Sequence, residues 1–174
     1  MALLEQYLQQ ERSMILDNNI RFTMIGQRDK LTKQVNAEID KSIQQSEHNT
    51  GLTLCLAINY SSRNEIVDAC RLIATRVMKG ELIPEHIEET TFSESLYTCG
   101  MPDPDLLIRT AGEMRISNFL LWQISYTEIW VTPVCWPEFT IKDYHDALRT
   151  YAHRTRRYGG LTIETDHDTV TELC

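Results

Sequence analysis

Short apolar runs alternate with helical repeats along most of this chain, and that alternation limits the folds open to it. Five segments show helical patterns, at residues 1–18, 29–47, 64–79, 118–126 and 141–157, with a shorter one at 93–98. Four segments are typical of strands, at residues 20–25, 52–59, 105–109 and 128–132. Strands separated by helices form parallel sheets through right-handed crossovers. The sequence therefore predicts an α/β fold, a parallel sheet with helices on both faces.

Two segments carry the strongest patterns. Leu31, Val35 and Ile39 begin an apolar repeat of every fourth residue, which predicts a helix with one buried face. Residues 52–59 are almost continuously apolar, which is typical of a strand buried on both faces of a parallel sheet. Together these segments predict a core between the sheet and its helices.

Composition excludes several classes of protein. The 174 residues contain 17 Lys plus Arg against 25 Asp plus Glu, a net charge of −8, so no general nucleic-acid binding is expected. Five scattered cysteines without a CxxC pair indicate neither disulfides nor zinc, and suggest the reducing cytosol. No apolar run approaches the roughly 18 to 20 residues of a membrane span. We expect a cytoplasmic protein with one domain at residues 1–160 and an acidic, flexible tail at 161–174.

One strand-to-helix loop, at residues 108–118, concentrates anion-binding chemistry. Arg109 and Arg115 supply guanidinium groups, Ser117 supplies a hydroxyl, and the predicted helix from Asn118 would add free N–H groups. Such a set suits a diphosphate. Ion pairs of the arginines with neighbouring acidic residues, and simple helix capping, explain the same pattern equally well. The loop alone names no substrate.

Longer motifs are more specific. Residues 102–139 read PDPDLLIRTAGEMRISNFLLWQISYTEIWVTPVCWPEF, residues 56–66 read LAINYSSRNEI, and residues 156–160 read RRYGG. The first closely resembles the cis-prenyltransferases, isoprenyl diphosphate synthases of the undecaprenyl diphosphate synthase type. The second is similar to the NYGGR(D/N)E stretch of that family, and the third to its RxG ending. The resemblance covers residues 1–160.

The resemblance implies a site for isopentenyl diphosphate. Arg109, Arg115 and Ser117 match the positions that hold its diphosphate. Glu128 matches a carboxylate that binds the cofactor Mg²⁺, an ion that prefers oxygen ligands. From the residues alone, a solvated charge at the edge of a strand is the favoured interpretation of Glu128.

Two further residue pairs match family positions. Asn59 and Arg63 correspond to an Asn and an Arg near the active site, although a turn-forming Asn and a surface Arg are an open alternative. Arg157 and Gly159 match the RxG contact with the phosphates of a partner subunit, and they also suit the end of a helix. The implied partners are isopentenyl diphosphate, an allylic diphosphate and a second subunit, in a homodimer or heterodimer. A lipid product implies peripheral contact with a membrane.

Part of the family pattern is missing. No stretch resembling DGNxRWA, whose aspartate binds Mg²⁺ and whose loop cradles the allylic diphosphate, occurs in this sequence. We therefore assign no catalytic residue and expect the fold to lack the first strand and the cradling loop. The predicted function is condensation of isopentenyl diphosphate with an allylic diphosphate to make polyprenyl diphosphate, impaired in this chain. The alternatives are a non-catalytic subunit that completes a partner's active site and an inactive remnant.

Overall fold

A computed structural model of the protein describes residues 2–154. The described helices are α1 (Ala2–Gln10), α2 (Arg12–Asp17), α3 (Lys33–Ser46), α4 (Ser62–Met78), α5 (Glu89–Ser93) and α6 (Ile141–His153), with 3₁₀ turns at Pro84–His86 and Trp136–Glu138. The described strands are β1 (Arg21–Ile25), β2 (Thr53–Ala57), β3 (Leu106–Arg109) and β4 (Glu128–Val131). No helix in this range is long and apolar enough to cross a membrane.

The described chain divides into two compact units. The first contains residues 2–104 and 115–125. Its strands β1 and β2 run parallel, with Arg21 opposite Thr53 and Ile25 opposite Ala57. Helix α3 makes the crossover between them and buries its apolar face, as its four-residue repeat predicts. The core cluster consists of Leu8, Ile15, Phe22, Leu31, Val35 and Ile39.

The second unit contains residues 105–114 and 126–154. Strands β3 and β4 are also parallel, with Leu106 opposite Glu128 and Arg109 opposite Val131. Helix α6 packs against β4. It begins in a capping box, in which the Thr140 hydroxyl and backbone N–H donate to Asp143 and lower the pKa of that carboxyl. The predicted α/β class with parallel strands is confirmed.

The helix predicted at residues 118–126 is wrong. Ser117, Asn118 and Leu120 have φ angles of 53°, 60° and 48°, in the left-handed region that a right-handed helix excludes. The segment forms consecutive turns. The predicted helix N-terminus at Asn118 therefore contributes nothing to an anion site.

Smaller differences concern the other elements. The first predicted helix is divided at Glu11 into α1 and α2, and the helix expected near residues 93–98 lies earlier, as α5. Strand β2 is not buried on both faces, because Thr53 and Ala57 are exposed and the residues between them are half-buried. Strands β1 and β2 form a two-stranded sheet within the described residues, which leaves β2 with an open edge.

Candidate functional site

The turn segment at residues 115–121, which carries Arg115 and Ser117, lies against the start of α4 in the first unit. Asn118 is the main contact: its Oδ1 accepts from the Arg63 N–H at 3.0 Å, and its backbone oxygen accepts from the Ser62 N–H at 3.0 Å. Its Nδ2 donates to Ser61 Oγ at 2.8 Å. The structure therefore brings Ser117 and Arg63 into one neighbourhood. The first N–H groups of α4 already have acceptors within the chain.

Asn59 and Arg63 follow β2, as predicted. Asn59 has a φ of 50°, and its Nδ2 donates to the Gln27 carbonyl at 2.8 Å. This contact joins the loops after β1 and β2, which is the turn-forming role open to an asparagine. The Arg63 residue is exposed. Its side chain is therefore accessible to a ligand.

Beneath the turn segment lies a buried carboxylate. Glu65 is 0% exposed. It accepts hydrogen bonds from the Tyr60 hydroxyl, from the Tyr97 N–H at 2.8 Å and from Gln123 Nε2 at 3.2 Å. Burial, together with the hydrogen bond to Glu65, raises the pKa of Tyr60 far above its usual range. Burial likewise raises the pKa of Tyr97 to about 12, with a further contribution from its hydrogen bond to Asp68.

The sequence analysis did not identify Glu65 as a buried acceptor of several hydrogen bonds. The signal was available, because Glu65, Ala69 and Ile73 are spaced four residues apart and therefore share one face of α4. A carboxylate on a buried helical face requires hydrogen-bond donors from other segments. Those donors lie far along the chain, at Tyr97 and Gln123.

In the second unit, Arg109 ends β3, and its Nε is a buried nitrogen with no hydrogen-bond partner among residues 2–154. The next residues fold onto the segment after β4: the Ala111 N–H donates to the Val134 carbonyl at 2.9 Å, and the Gly112 N–H to the Thr132 carbonyl at 2.8 Å. A buried guanidinium nitrogen without an acceptor is unusual in folded proteins. An anion bound at the carboxyl end of β3 would supply the missing acceptor.

Glu128 occupies the other end of this sheet. It pairs with Leu106, three residues before Arg109, so the two Cα positions are separated by about 10 Å along the strands. Its carboxylate forms an ion pair with Arg154, which follows α6. No three His, Cys, Asp or Glu side chains within residues 2–154 are grouped to hold a metal ion. Glu128 thus has the carboxylate oxygens that Mg²⁺ prefers, but it is a single side chain and cannot fill the coordination sphere of the ion by itself.

Two predicted residues, Arg157 and Gly159, lie outside the described residues. The described part contains one further feature of chemical interest, an apolar cavity of about 210 Å³ in the first unit. Its walls come from α1, α2, β1 and β2, and include Leu8, Phe22 and Leu56. A cavity with this lining suits a hydrocarbon group.

The fold and these features define an α/β protein. At the end of a parallel strand its second unit holds a guanidinium Nε with no acceptor among residues 2–154, and its first unit holds an apolar cavity. The prenyltransferase family model, whose description reads "Putative undecaprenyl diphosphate synthase", matches residues 1–159. The chain belongs to this family, as its motifs indicate.

Individual relatives agree. The chain is 50% identical over 163 residues to an isoprenyl transferase of Rhodopirellula baltica, covering 94% of this chain and 67% of that protein. It is 48% identical to an isoprenyl transferase of Geobacter sulfurreducens, covering 91% of this chain and 65% of the relative. The chain therefore spans about two thirds of the length of these curated relatives.

Solved structures show the same fold. Lavandulyl diphosphate synthase from Lavandula x intermedia, crystallised with dimethylallyl diphosphate, matches with a TM-score of 0.89 and 38% identity, over 92% of this chain and 70% of that one. A "probable undecaprenyl diphosphate synthase" from Campylobacter jejuni matches with a TM-score of 0.79 and 30% identity, over 91% and 72%. These relatives carry enzyme names, and give no support to the alternatives of a non-catalytic subunit or a remnant.

Proposed function

We propose that the protein acts in isoprenyl transfer, binding isopentenyl diphosphate for condensation with an allylic diphosphate. In this reaction the double bond of isopentenyl diphosphate attacks the allylic carbon, the bond from that carbon to its diphosphate breaks, and a proton leaves the new chain. The observation that carries the proposal is the buried Nε of Arg109, which has no hydrogen-bond partner in the described part of the chain. A diphosphate oxygen is the acceptor that this nitrogen lacks.

Within the first unit, Arg115 and Ser117 are proposed to bind a diphosphate, with Asn59 and Arg63 near them. The exposed side chain of Arg63 and the position of Ser117 beside the start of α4 support this assignment. The apolar cavity is proposed to receive a hydrocarbon chain. The charged diphosphate of an isoprenyl diphosphate would then meet cationic and hydroxyl side chains, and its hydrocarbon chain would meet apolar ones.

Replacing Arg109 tests this proposal. Arg109→Ala is expected to weaken binding of isopentenyl diphosphate to the 174-residue chain by about 10- to 100-fold, since a hydrogen bond to a charged group contributes roughly 1.5 to 3 kcal/mol. Isothermal titration calorimetry measures the change. Arg149→Ala is the matched control, because it removes the same charge from an exposed side chain of α6 that is paired with Asp146. Equal binding by both variants would refute the assignment of Arg109.

We further propose that Glu128 binds Mg²⁺ only together with the substrate's phosphate oxygens, because a single carboxylate leaves most of the coordination sphere empty. The ion pair with Arg154 would have to open first. The metal would supply positive charge to the diphosphate.

This second proposal predicts opposite effects of two substitutions. Glu128→Gln should remove the increase in isopentenyl diphosphate affinity that Mg²⁺ produces, whereas Arg154→Ala should make that increase about threefold larger, because it removes the competing cation. Titrations with and without Mg²⁺ measure both. A Mg²⁺ effect that survives in Glu128→Gln would show that the ion binds elsewhere.

The remaining assignments concern partners and location. Arg157 and Gly159 are proposed to contact the phosphates bound by a second subunit, in a homodimer or a heterodimer with a related chain. The family resemblance and the match over residues 1–159 support this assignment. The protein is proposed to work in the cytoplasm and to contact membranes only through its lipid product.

A further inference from the structure

The turn segment at residues 115–121 has an unfavourable backbone. Ser117, Asn118 and Leu120 all adopt the left-handed region, with φ angles between 48° and 60°. Residues other than glycine avoid this region, and a cluster of them persists only where surrounding contacts fix it. Hydrogen bonds to the start of α4 fix this segment.

Four hydrogen bonds join the segment to the first turn of α4. Two of them use the backbone of α4, through the N–H groups of Ser62 and Arg63 bonded to Asn118. The other two use serine hydroxyls: Ser61 Oγ accepts from Asn118 Nδ2 at 2.8 Å, and Ser62 Oγ accepts from the Leu121 N–H at 2.9 Å. Ser62 is 0% exposed, so its hydroxyl cannot exchange this bond for one to solvent.

The two hydroxyls come from neighbouring serines, and glycine at either position would supply no hydroxyl. Glycine has no side chain and could form neither the bond to Asn118 nor the bond to Leu121. This chain therefore holds the turn segment with two side-chain hydrogen bonds that a Gly-Gly sequence lacks. Those bonds close a loop between residues more than fifty positions apart in the sequence.

We propose that Ser61 and Ser62 are positioning residues, which hold residues 115–121 in the strained conformation that presents Arg115 and Ser117 to a diphosphate. This inference rests on the proposed function, since it assigns a role to the supports of the same site. A segment fixed before binding loses less conformational freedom when the ligand arrives, so its affinity is higher. Neither serine needs to touch the ligand.

The test removes both hydroxyls with little change to α4. Glycine is tolerated at an N-cap, so Ser61→Gly disturbs the start of the helix little. Ser62→Ala places a good helix former in the first turn. In this double variant we expect the Leu121 and Arg63 amides to exchange hydrogen about tenfold faster. We also expect the affinity for isopentenyl diphosphate to fall about fivefold to tenfold. Exchange is followed by NMR or mass spectrometry, and binding by calorimetry.

Two further variants separate positioning from general stability. Ser61→Thr keeps a hydroxyl at the N-cap and should bind isopentenyl diphosphate as the wild type does. Ser13→Ala removes a hydroxyl from an exposed position on α2 and should change neither exchange in the turn segment nor binding. A loss of affinity in Ser61→Thr as large as in the double variant would contradict a role for the hydroxyl.

The two proposals fail in different ways. If the wild-type chain binds isopentenyl diphosphate and the double variant binds it equally tightly, or exchange in the segment is unchanged, the positioning role is overturned and the proposed function stands. If the wild-type chain binds no isopentenyl diphosphate, the proposed function is overturned and the positioning role with it. Faster exchange with weaker binding supports both.

Discussion

Gly26→Ala should destabilise the first unit by about 4 kcal/mol, a large share of the roughly 5 to 15 kcal/mol by which folded proteins are typically stable. Gly26 follows β1 with a φ of +115°, and a Cβ added there would lie 2.1 Å from the Ile58 carbonyl oxygen. The obstacle is backbone of the adjoining segment, so no side-chain rotation can relieve it. The expected result combines this steric clash with the strain of an alanine at positive φ.

Gly80 provides the matched control. It also has a positive φ, of +71°, but a Cβ there meets no atom within 4 Å. Gly80→Ala should therefore cost only about 1 kcal/mol, from conformational strain alone. Urea denaturation followed by circular dichroism measures both changes. Equal losses of unfolding free energy in the two variants would show that the Ile58 carbonyl moves away from the added Cβ at little cost.

Glu65→Ala is expected to cost about 4 kcal/mol, for a different reason. The Tyr60 hydroxyl, the Tyr97 N–H and Gln123 Nε2 would all lose their acceptor. Each buried donor left without a partner costs roughly 1 to 3 kcal/mol, and a cavity adds to the loss.

Two other variants test this explanation of Glu65. Glu65→Gln keeps the shape and one oxygen acceptor, so it should lose about half as much as Glu65→Ala. Glu81→Ala removes an exposed carboxylate and should change the free energy of unfolding by less than about 0.5 kcal/mol. Unfolding in urea gives all three values. If Glu65→Ala were no more harmful than Glu81→Ala, water would have to be replacing the carboxylate oxygens.

The sequence predicted those elements whose causes are local. The apolar repeat of Leu31, Val35 and Ile39 identified α3 and its buried face, because both follow from helical geometry. The strands were located to within two residues at each end for the same reason. The start of α4 also has a local cause, because Ser61 precedes the helix and its Oγ accepts from the Asn64 N–H.

The predictions that were wrong or missed concern residues whose conformation depends on contacts remote in the sequence. Residues 118–126 are apolar enough for a helix, but Asn118 bonds to the start of α4, more than fifty residues earlier, and its backbone turns left-handed. The donors to Glu65 are similarly remote in sequence. Contacts of this kind leave no periodic signal. Arg109 could be identified from its motif, but its lack of an acceptor could not.

Strand β2 has no second neighbouring strand among residues 2–154, and this has a consequence for handling the protein. Its backbone groups can pair with an extended segment from another molecule, and this process grows with concentration. Leu52, next to that strand, is 69% exposed and would favour such an encounter. Crystallisation or NMR samples of this chain would therefore gain from dilution or from a charged residue at position 52, which would discourage assembly into ordered aggregates.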